Sequence, residues 1–212
     1  MATLSLSLRT PHPSTKSISK RLIDVIGSLV GLLILALIFL PIAIAIKLDS
    51  PGPIFYSQKR YGLYGKTFRI YKFRTMVQNA DALKALINNE AKGLIFKNEN
   101  DPRITRVGRF LRRTSLDEFP QFWNVLTGEM SLVGTRPPTT DEVIYYNKYH
   151  WQRLNVKPGL TGEWQVNGRS KIKDFEAIVA LDLRYQKLWK PWYDLVIIFQ
   201  TVLMIFRQTG AY

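Results

Sequence analysis

The strongest hydrophobic pattern in the chain is an uncharged run near its N-terminus. Residues 25–46 form about 22 uncharged positions in a row, enough at roughly 1.5 Å per residue to cross the hydrocarbon core of a bilayer. A cleaved secretory signal is disfavoured, because the run is longer than the apolar region of such a peptide. The run predicts a membrane helix, which we assign to residues 20–48.

The flanks of this helix and its internal proline bear on its topology. Basic residues lie on both sides of the run, at Lys16, Lys20, Arg21, Lys47, Lys59, Arg60, Lys66 and Arg69. The positive-inside rule draws both ends toward the cytoplasm. Pro41 removes one backbone hydrogen bond and predicts a kink. A helix that enters, bends and returns satisfies both observations, but spanning helices also contain proline kinks, so both forms stay open on these grounds.

The pattern changes on either side of the membrane helix. Residues 1–19 are rich in Ser, Thr and Pro and lack acidic groups, which favours a disordered leader over a transit peptide. Beyond the helix, residues 49–53 (DSPGP) are a dense cluster of helix breakers. We assign residues 49–212 to one cytoplasmic catalytic domain.

Within that domain, polar and apolar residues alternate over 54–56 and 66–73, which predicts a β-hairpin. Helical patterns follow at 79–92, 141–149 and 174–188, and a polar, Gly- and Pro-rich stretch covers 127–140. Residues 195–206 are apolar but too few to span a bilayer, so they predict a helix lying in the membrane interface or a buried core helix. The fold class is therefore α+β, mainly helical.

Composition narrows the chemistry. Lys and Arg number 30 against 16 Asp and Glu, a net charge of +14 that suits phosphate-rich partners such as nucleotides, anionic lipid or nucleic acid. The absence of cysteine excludes disulfides, thiolate metal sites and a cysteine nucleophile. With only two histidines, acid–base work falls to carboxylates.

One pair of carboxylates stands out. Arginines recur at steps near three from Arg103 to Arg113 and lead into Asp117 and Glu118. The structural interpretation is a capping box, in which Ser115 caps a helix whose third residue is Glu118. The functional interpretation is that nearby arginines hold Asp117 ionised and attract a phosphate, which the carboxylate attacks to form an acyl-phosphate. Phosphoryl transfer of this kind uses Mg²⁺ together with Arg or Lys.

Nine motifs, in order along the chain, resemble the bacterial sugar transferase family, the monotopic phosphoglycosyl transferases that begin glycan assembly on undecaprenyl phosphate. They are residues 20–24 (KRLID), 51–53 (PGP), 58–60 (QKR), 71–76 (YKFRTM), 111–118 (LRRTSLDE), 124–126 (NVL), 131–137 (SLVGTRP), 157–162 (KPGLTG) and 165–169 (QVNGR). The resemblance covers residues 18–212. Residues 162–169 and 209–212 look most like the members that transfer galactose- or glucose-phosphate.

The resemblance implies a double displacement. Asp117 would attack the β-phosphorus of a UDP-sugar, UMP would leave, and undecaprenyl phosphate would then take the phosphosugar from the enzyme. Glu118 would be the general acid/base. Asp117 would help to bind Mg²⁺. The implied phosphate or nucleotide contacts are Arg112, Arg136, Arg169, Lys72 and Arg74.

The resemblance also implies a re-entrant membrane helix, kinked at Pro41, with amphipathic interfacial helices around a cytoplasmic active site at the inner membrane. Relatives often place Ser before the kink proline, where this chain has Leu40. We expect contact with membrane lipids, a possible homodimer and no nucleic-acid partner. A membrane-tethered nucleic-acid binder and a scaffold for glycan enzymes are the competing hypotheses. The first leaves the Asp117–Glu118 dyad and the lipid anchor unexplained.

Overall fold

The computed structural model describes residues 11–206, apart from the side chains at positions 170 and 206. Its longest element is helix α1, Ile18–Asp49, which begins at an N-cap where the hydroxyl of Ser17 accepts from the Lys20 backbone N–H. Among residues 11–206, it is the one helix long and apolar enough to cross a membrane. It continues through Pro41 as a single helix.

The remaining elements are short except near the C-terminus. In chain order they are β1 (Phe55–Tyr61), β2 (Thr67–Phe73), α2 (Ala80–Leu83), α3 (Arg106–Thr114), α4 (Phe122–Thr127), β3 (Ser131–Val133), α5 (Thr140–Val143), α6 (Lys148–Trp151), β4 (Gly159–Thr161), α7 (Glu163–Val166), α8 (Phe175–Leu188) and α9 (Pro191–Phe206). A 3₁₀-helix, Leu116–Gln121, joins α3 to α4.

The predicted β-hairpin is confirmed. Strands β1 and β2 pair antiparallel in full register, from Phe55 opposite Phe73 to Tyr61 opposite Thr67. The first strand is longer than the alternation at 54–56 indicated. A second, parallel pair joins β3 to β4, and nothing in the Gly- and Pro-rich stretch at 127–140 had indicated a strand there.

The mainly helical content is also confirmed, but two helices are shorter than predicted. The helix expected over 79–92 ends within a turn of Leu83, in a 3₁₀ segment. Beyond it, the Asn89 side chain accepts from the backbone N–H of Ala91 and of Lys97 and donates to the Ile95 carbonyl, and these local bonds replace helical ones. The helix expected over 141–149 is split into α5 and α6, since Asn147 caps the second.

Buried apolar side chains bind α1 to the rest of the fold. Ile42 and Ile46 pack with Phe73 of β2 and Leu111 of α3. Toward its start, α1 lies against α4 and β3, where an added Cβ at Gly31 would overlap the Phe122 ring. The opposite face of α1 exposes large apolar side chains along its whole length: Ile18, Leu22, Ile26, Leu29, Val30, Leu33, Ile34, Leu37, Leu40, Ile44 and Leu48. The helix is therefore half packed and half exposed.

Of the leader assigned to residues 1–19, positions 1–10 lie outside the described residues, as do residues 209–212. Within residues 11–17, His12 lies against α8: its ring Nε2 is 2.9 Å from the Gln186 carbonyl.

Candidate active site

The two carboxylates lie on a tight reversal of the chain. Helix α3 ends at Ser115, which has a left-handed backbone (φ 59°), and the chain continues directly into the 3₁₀-helix Leu116–Gln121. This turn places Asp117 inside the fold, 6% exposed, with the half-buried Glu118 beside it. The carboxylates therefore adjoin the end of α3, where Arg112, one of the predicted arginines, lies.

The capping-box interpretation is wrong. Ser115 makes no side-chain cap to the 3₁₀-helix, because its backbone is left-handed rather than extended. Its hydroxyl instead accepts a hydrogen bond from Nη1 of Arg169, at 2.8 Å. Ser115 thus links the dyad segment to a loop more than fifty residues further along the chain.

Lys72 approaches the dyad from the β-hairpin. Its Nζ donates to Oε1 of Glu118 at 2.6 Å and lies 4.0 Å from Oδ2 of Asp117. The alternation of β2 turns Lys72 inward, toward the 3₁₀-helix that carries the dyad, while its neighbour Tyr71 stays exposed. Lys72 therefore lies close to both carboxylates, but it donates a hydrogen bond only to Glu118.

Two arginines add positive charge near the two carboxylates. Arg112 lies in the last turn of α3, where its Nε donates to the hydroxyl of Thr75 at 3.0 Å. Arg169 reaches in from the loop after α7. Both guanidinium groups lower the pKa of Asp117 through their charge. The structure thus brings together five of the predicted residues: Lys72, Arg112, Asp117, Glu118 and Arg169.

The two carboxyl groups respond to this setting in opposite ways. Burial raises the pKa of Asp117 to about 6, against the pull of Lys72 and with a further contribution from the charge of Glu118. Burial also acts on Glu118, but the charges of Lys72 and Arg169 and the hydrogen bond from Lys72 outweigh it and lower its pKa. Asp117 is therefore the more basic carboxylate, and near neutral pH it is still mostly ionised.

Two predicted residues lie elsewhere. The Nη1 of Arg136 donates to both carboxylate oxygens of Glu142, at 3.0 and 2.9 Å, and the guanidinium lies over the ring of Trp164. Arg74 is buried and donates to the carbonyls of Pro51 and Ser50, at the end of α1. The described contacts of these two guanidinium groups include none to Asp117 or Glu118.

The contacts of several residues around the site could not be predicted from sequence patterns. The hydroxyl of Thr75 accepts a hydrogen bond from Arg112, and that of Ser115 accepts one from Arg169. Lys97 contacts the loop that carries Arg169. Asp101 makes a buried ion pair with Arg103, two residues along. Thr75 and Ser115 lie in the motifs at 71–76 and 111–118, but their arginine partners are distant in the chain, so no local pattern indicates these contacts.

The carboxylates of the site could bind Mg²⁺ only together with phosphate oxygens of a substrate. Among the described residues, no group of three or more His, Cys, Asp or Glu side chains is arranged to hold a metal. Mg²⁺ is commonly bound by one or two carboxylates, together with substrate phosphates and water. The adjacent Asp117 and Glu118 fit that pattern, with Asp117 the one not directly bonded to Lys72.

Comparison with known proteins agrees with the motifs. The family model described as bacterial sugar transferase matches residues 15–208, nearly the whole chain. The chain belongs to the bacterial sugar transferase family. Its matched region includes the dyad, the hairpin and α1, so the family assignment covers every part of the site described above.

Members of the bacterial sugar transferase family with similar sequences come from several bacteria. Galactosyl transferase CpsE of Streptococcus agalactiae serotype III is 48% identical over 196 residues, covering 92% of this chain and 43% of the relative. The undecaprenyl-phosphate galactose phosphotransferase of Salmonella typhimurium is 43% identical, covering 91% and 41%. The chain thus spans less than half the length of these two relatives. Exopolysaccharide production protein ExoY of Rhizobium meliloti is 39% identical, covering 92% of this chain and 88% of the relative.

Proposed function

We propose that this protein transfers a sugar-1-phosphate from a UDP-sugar to undecaprenyl phosphate, releasing UMP, as an early membrane step of exopolysaccharide or related glycan assembly. The observation that carries the proposal is a buried, basic carboxylate, Asp117, beside an ionised Glu118 and three cations. The names of the Salmonella and Rhizobium relatives support the acceptor and the pathway class.

In the first step, an oxygen of Asp117 attacks the β-phosphorus of the donor. The bond from that phosphorus to the oxygen bridging the two phosphates breaks, UMP leaves with the bridging oxygen, and a phosphosugar remains on the carboxylate. The raised pKa makes Asp117 a better nucleophile than an ordinary aspartate, and at neutral pH it stays ionised.

In the second step, a phosphate oxygen of the lipid acceptor attacks the same phosphorus, and the Asp117 carboxylate leaves. The product is a lipid diphosphate sugar. Glu118 can take or return the proton of the incoming or departing phosphate, because it adjoins the reacting carboxylate. Its bond to Lys72 keeps it ionised before the reaction begins.

Negative charge on the oxygens of the transferring phosphoryl group has to be neutralised by nearby cations. Lys72, Arg112 and Arg169 surround the dyad and supply three. Asp117, with oxygens of the diphosphate and water, would hold Mg²⁺, and the ion would neutralise charge on the diphosphate when bound. We propose Arg136 and Arg74, which are engaged elsewhere, as weaker candidates for donor contacts.

The acceptor explains the membrane helix. A polyprenyl chain gains about 0.8 kcal/mol per CH₂ by remaining in the bilayer, so the enzyme has to approach the lipid phosphate at the membrane surface. Both ends of α1 contact the same folded body, which supports a re-entrant helix with the active site on the cytoplasmic face of the inner membrane. The exposed Trp192, Leu195 and Phe199 of α9 support its assignment as an interfacial helix.

The decisive experiment offers a panel of UDP-sugars, with UDP-galactose and UDP-glucose first, to the purified protein with Mg²⁺ and undecaprenyl phosphate. We expect UMP release and, without acceptor, a hexose-phosphate adduct on Asp117 by mass spectrometry. Asp117→Asn should lower UMP release by about a thousandfold or more and form no adduct.

The matched control is Asp141→Asn, an exposed aspartate paired with Lys84, which should keep wild-type turnover. Release of UDP rather than UMP would mean transfer of sugar alone. That result, or full activity in Asp117→Asn, would overturn the proposal.

A further inference from the structure

A segment without helix or strand holds the loop that carries Arg169. We call residues 88–99 the bracket. Asn89 bonds to three backbone groups within it, and the Glu90 N–H donates to the Lys97 carbonyl at 2.8 Å. The bracket then pairs with the far side of the loop, where the Lys92 N–H donates to the Lys173 carbonyl and the Phe175 N–H to the Lys92 carbonyl. The bracket is therefore held in place by its internal hydrogen bonds and by its pairing with this loop.

Lys97 extends from the bracket into this loop. Its Nζ donates to the carbonyl of Ile172 at 2.6 Å and to the carbonyl of Arg169 at 3.1 Å. It also lies 5.1 Å from the centre of the Trp164 ring, on the other side of the loop. The ammonium group thus binds carbonyls at both ends of the short 3₁₀-helix Arg169–Lys171: that of its first residue, Arg169, and that of Ile172, just beyond its last.

Arg169 needs such support. Its backbone is left-handed, with φ 42°, an uncommon conformation for a residue with a side chain, and it follows Gly168 at φ 146°. From this backbone its guanidinium reaches Ser115, two residues before the nucleophilic carboxylate. A small change in the loop would therefore move the guanidinium relative to the dyad.

We infer that Lys97 is a positioning residue for phosphoryl transfer: it holds the 169–172 turn so that the Arg169 guanidinium stands beside the reacting carboxylates. This inference rests on the proposed function, in which the Arg169 guanidinium neutralises charge on the transferring phosphoryl group. Lys97 itself acts through Arg169 and does not touch the dyad in any described contact.

Lysine suits this position because three N–H donors can serve converging carbonyls. Burial, with the positive charges of Arg136 and Lys173, lowers the pKa of Lys97 to about 8. At neutral pH the amine therefore still carries its proton and its third N–H. Glu90 pairs with Lys173 at 2.9 Å, which balances the charge next to it.

The first test compares three variants in the UMP-release assay with lipid acceptor. Lys97→Met keeps the length of the side chain but removes its donors, and should lower kcat about tenfold to thirtyfold with little change in the KM for the donor. Lys97→Arg restores charged donors and should recover most of the loss. Lys92→Met, an exposed lysine of the same bracket, is the control and should match wild type.

The second test is a double-mutant cycle with Arg169→Ala. If Lys97 acts through Arg169, then Lys97→Met should cost less than about twofold further in a protein that already lacks the arginine. A thermal melt of each variant separates a loss of folded protein from a loss of turnover.

Two results would overturn the inference: wild-type turnover in Lys97→Met, or a full tenfold loss on the Arg169→Ala background. Failure of the proposed function is distinguishable, because the wild-type protein itself would then release no UMP.

Discussion

Adjacent carboxyl groups of nearly the same intrinsic acidity become different chemical groups here. Asp117 is buried and lies 4.0 Å from the lysine that Glu118 binds at 2.6 Å. Because direct ion pairing favours Glu118, its pKa falls while burial raises that of Asp117. The division of labour between nucleophile and proton carrier thus follows from which carboxylate the Lys72 amine contacts.

This difference predicts the pH dependence. A carboxyl whose pKa is about 6 gains a proton as the pH falls through 6, so kcat/KM for UMP release should decline on the acid side near that value. Lys72→Met removes a charge that lowers the pKa of Asp117, so the acid limb should move to higher pH. Pre-steady-state UMP release from about pH 5 to 8 measures the shift.

The control for that experiment is Lys59→Met, an exposed lysine on β1 of the same hairpin. Its acid limb should coincide with that of wild type. An unshifted limb in Lys72→Met would show that Asp117 is not the group whose titration limits the rate.

At the scale of elements, the end of α1 is tied to the hairpin by one buried guanidinium. Arg74 follows β2 and donates to the carbonyls of Ser50 and Pro51, at 2.5 and 2.6 Å. Phe39 of α1 stacks on Phe55 and Phe73 at the same junction. A polar clamp and an aromatic cluster together set the direction in which the chain leaves the membrane helix.

Replacing Arg74 tests this clamp. Arg74→Met keeps the apolar stem but leaves the partly buried carbonyls of Ser50 and Pro51 without this donor, and should lower the free energy of unfolding by about 2 to 4 kcal/mol. Thermal unfolding in detergent measures the loss. Arg69→Met, on the same hairpin, replaces an exposed side chain that bonds only to Ser57 among the described contacts, and should cost less than about 1 kcal/mol. A variant that melts like wild type yet releases no UMP would place Arg74 in the donor site instead.

At the scale of the whole molecule, the two ends of α1 belong to one body. Near its start, Lys20 donates to Asp194 of α9 at 2.7 Å and Arg21 to the Val125 carbonyl at 2.8 Å. At its end, the Asp49 carboxylate accepts from the Val107 N–H of α3. This arrangement is the basis on which we propose a re-entrant helix.

Cysteine labelling tests this topology without interference, since the chain has no cysteine. Ser19→Cys, before the apolar run, and Ser57→Cys, on the hairpin, are both exposed. A membrane-impermeant maleimide should label neither site in intact cells whose outer membrane has been opened, and both in inverted inner-membrane vesicles. Labelling of Cys at position 19 from the periplasmic side would establish a spanning helix.

Long apolar runs and contiguous motifs could be predicted from the sequence, because the interactions that define them involve residues close together in the chain. The 22-residue run, the alternation of the hairpin and the carboxylate pair each depend on neighbours in the chain. The two short helices at 80–83 and 140–143 show the limit. Asn89, beyond the first, bonds to backbone groups outside any helix, and Asn147, beyond the second, caps a new helix. Propensity alone does not reveal that competition.

The sequence by itself determined the family, the membrane helix, the hairpin and the residues that make up the dyad. Tertiary structure decided what those residues do to one another: Ser115 receives Arg169 rather than capping a helix, and Arg74 holds the end of α1. It also brought Lys97, from a segment with no recognisable pattern, to the loop beside the dyad. The reason is that burial and long-range contacts set the pKa of Asp117 and the partner of each arginine, and neither quantity is encoded in the spacing of residues along the chain.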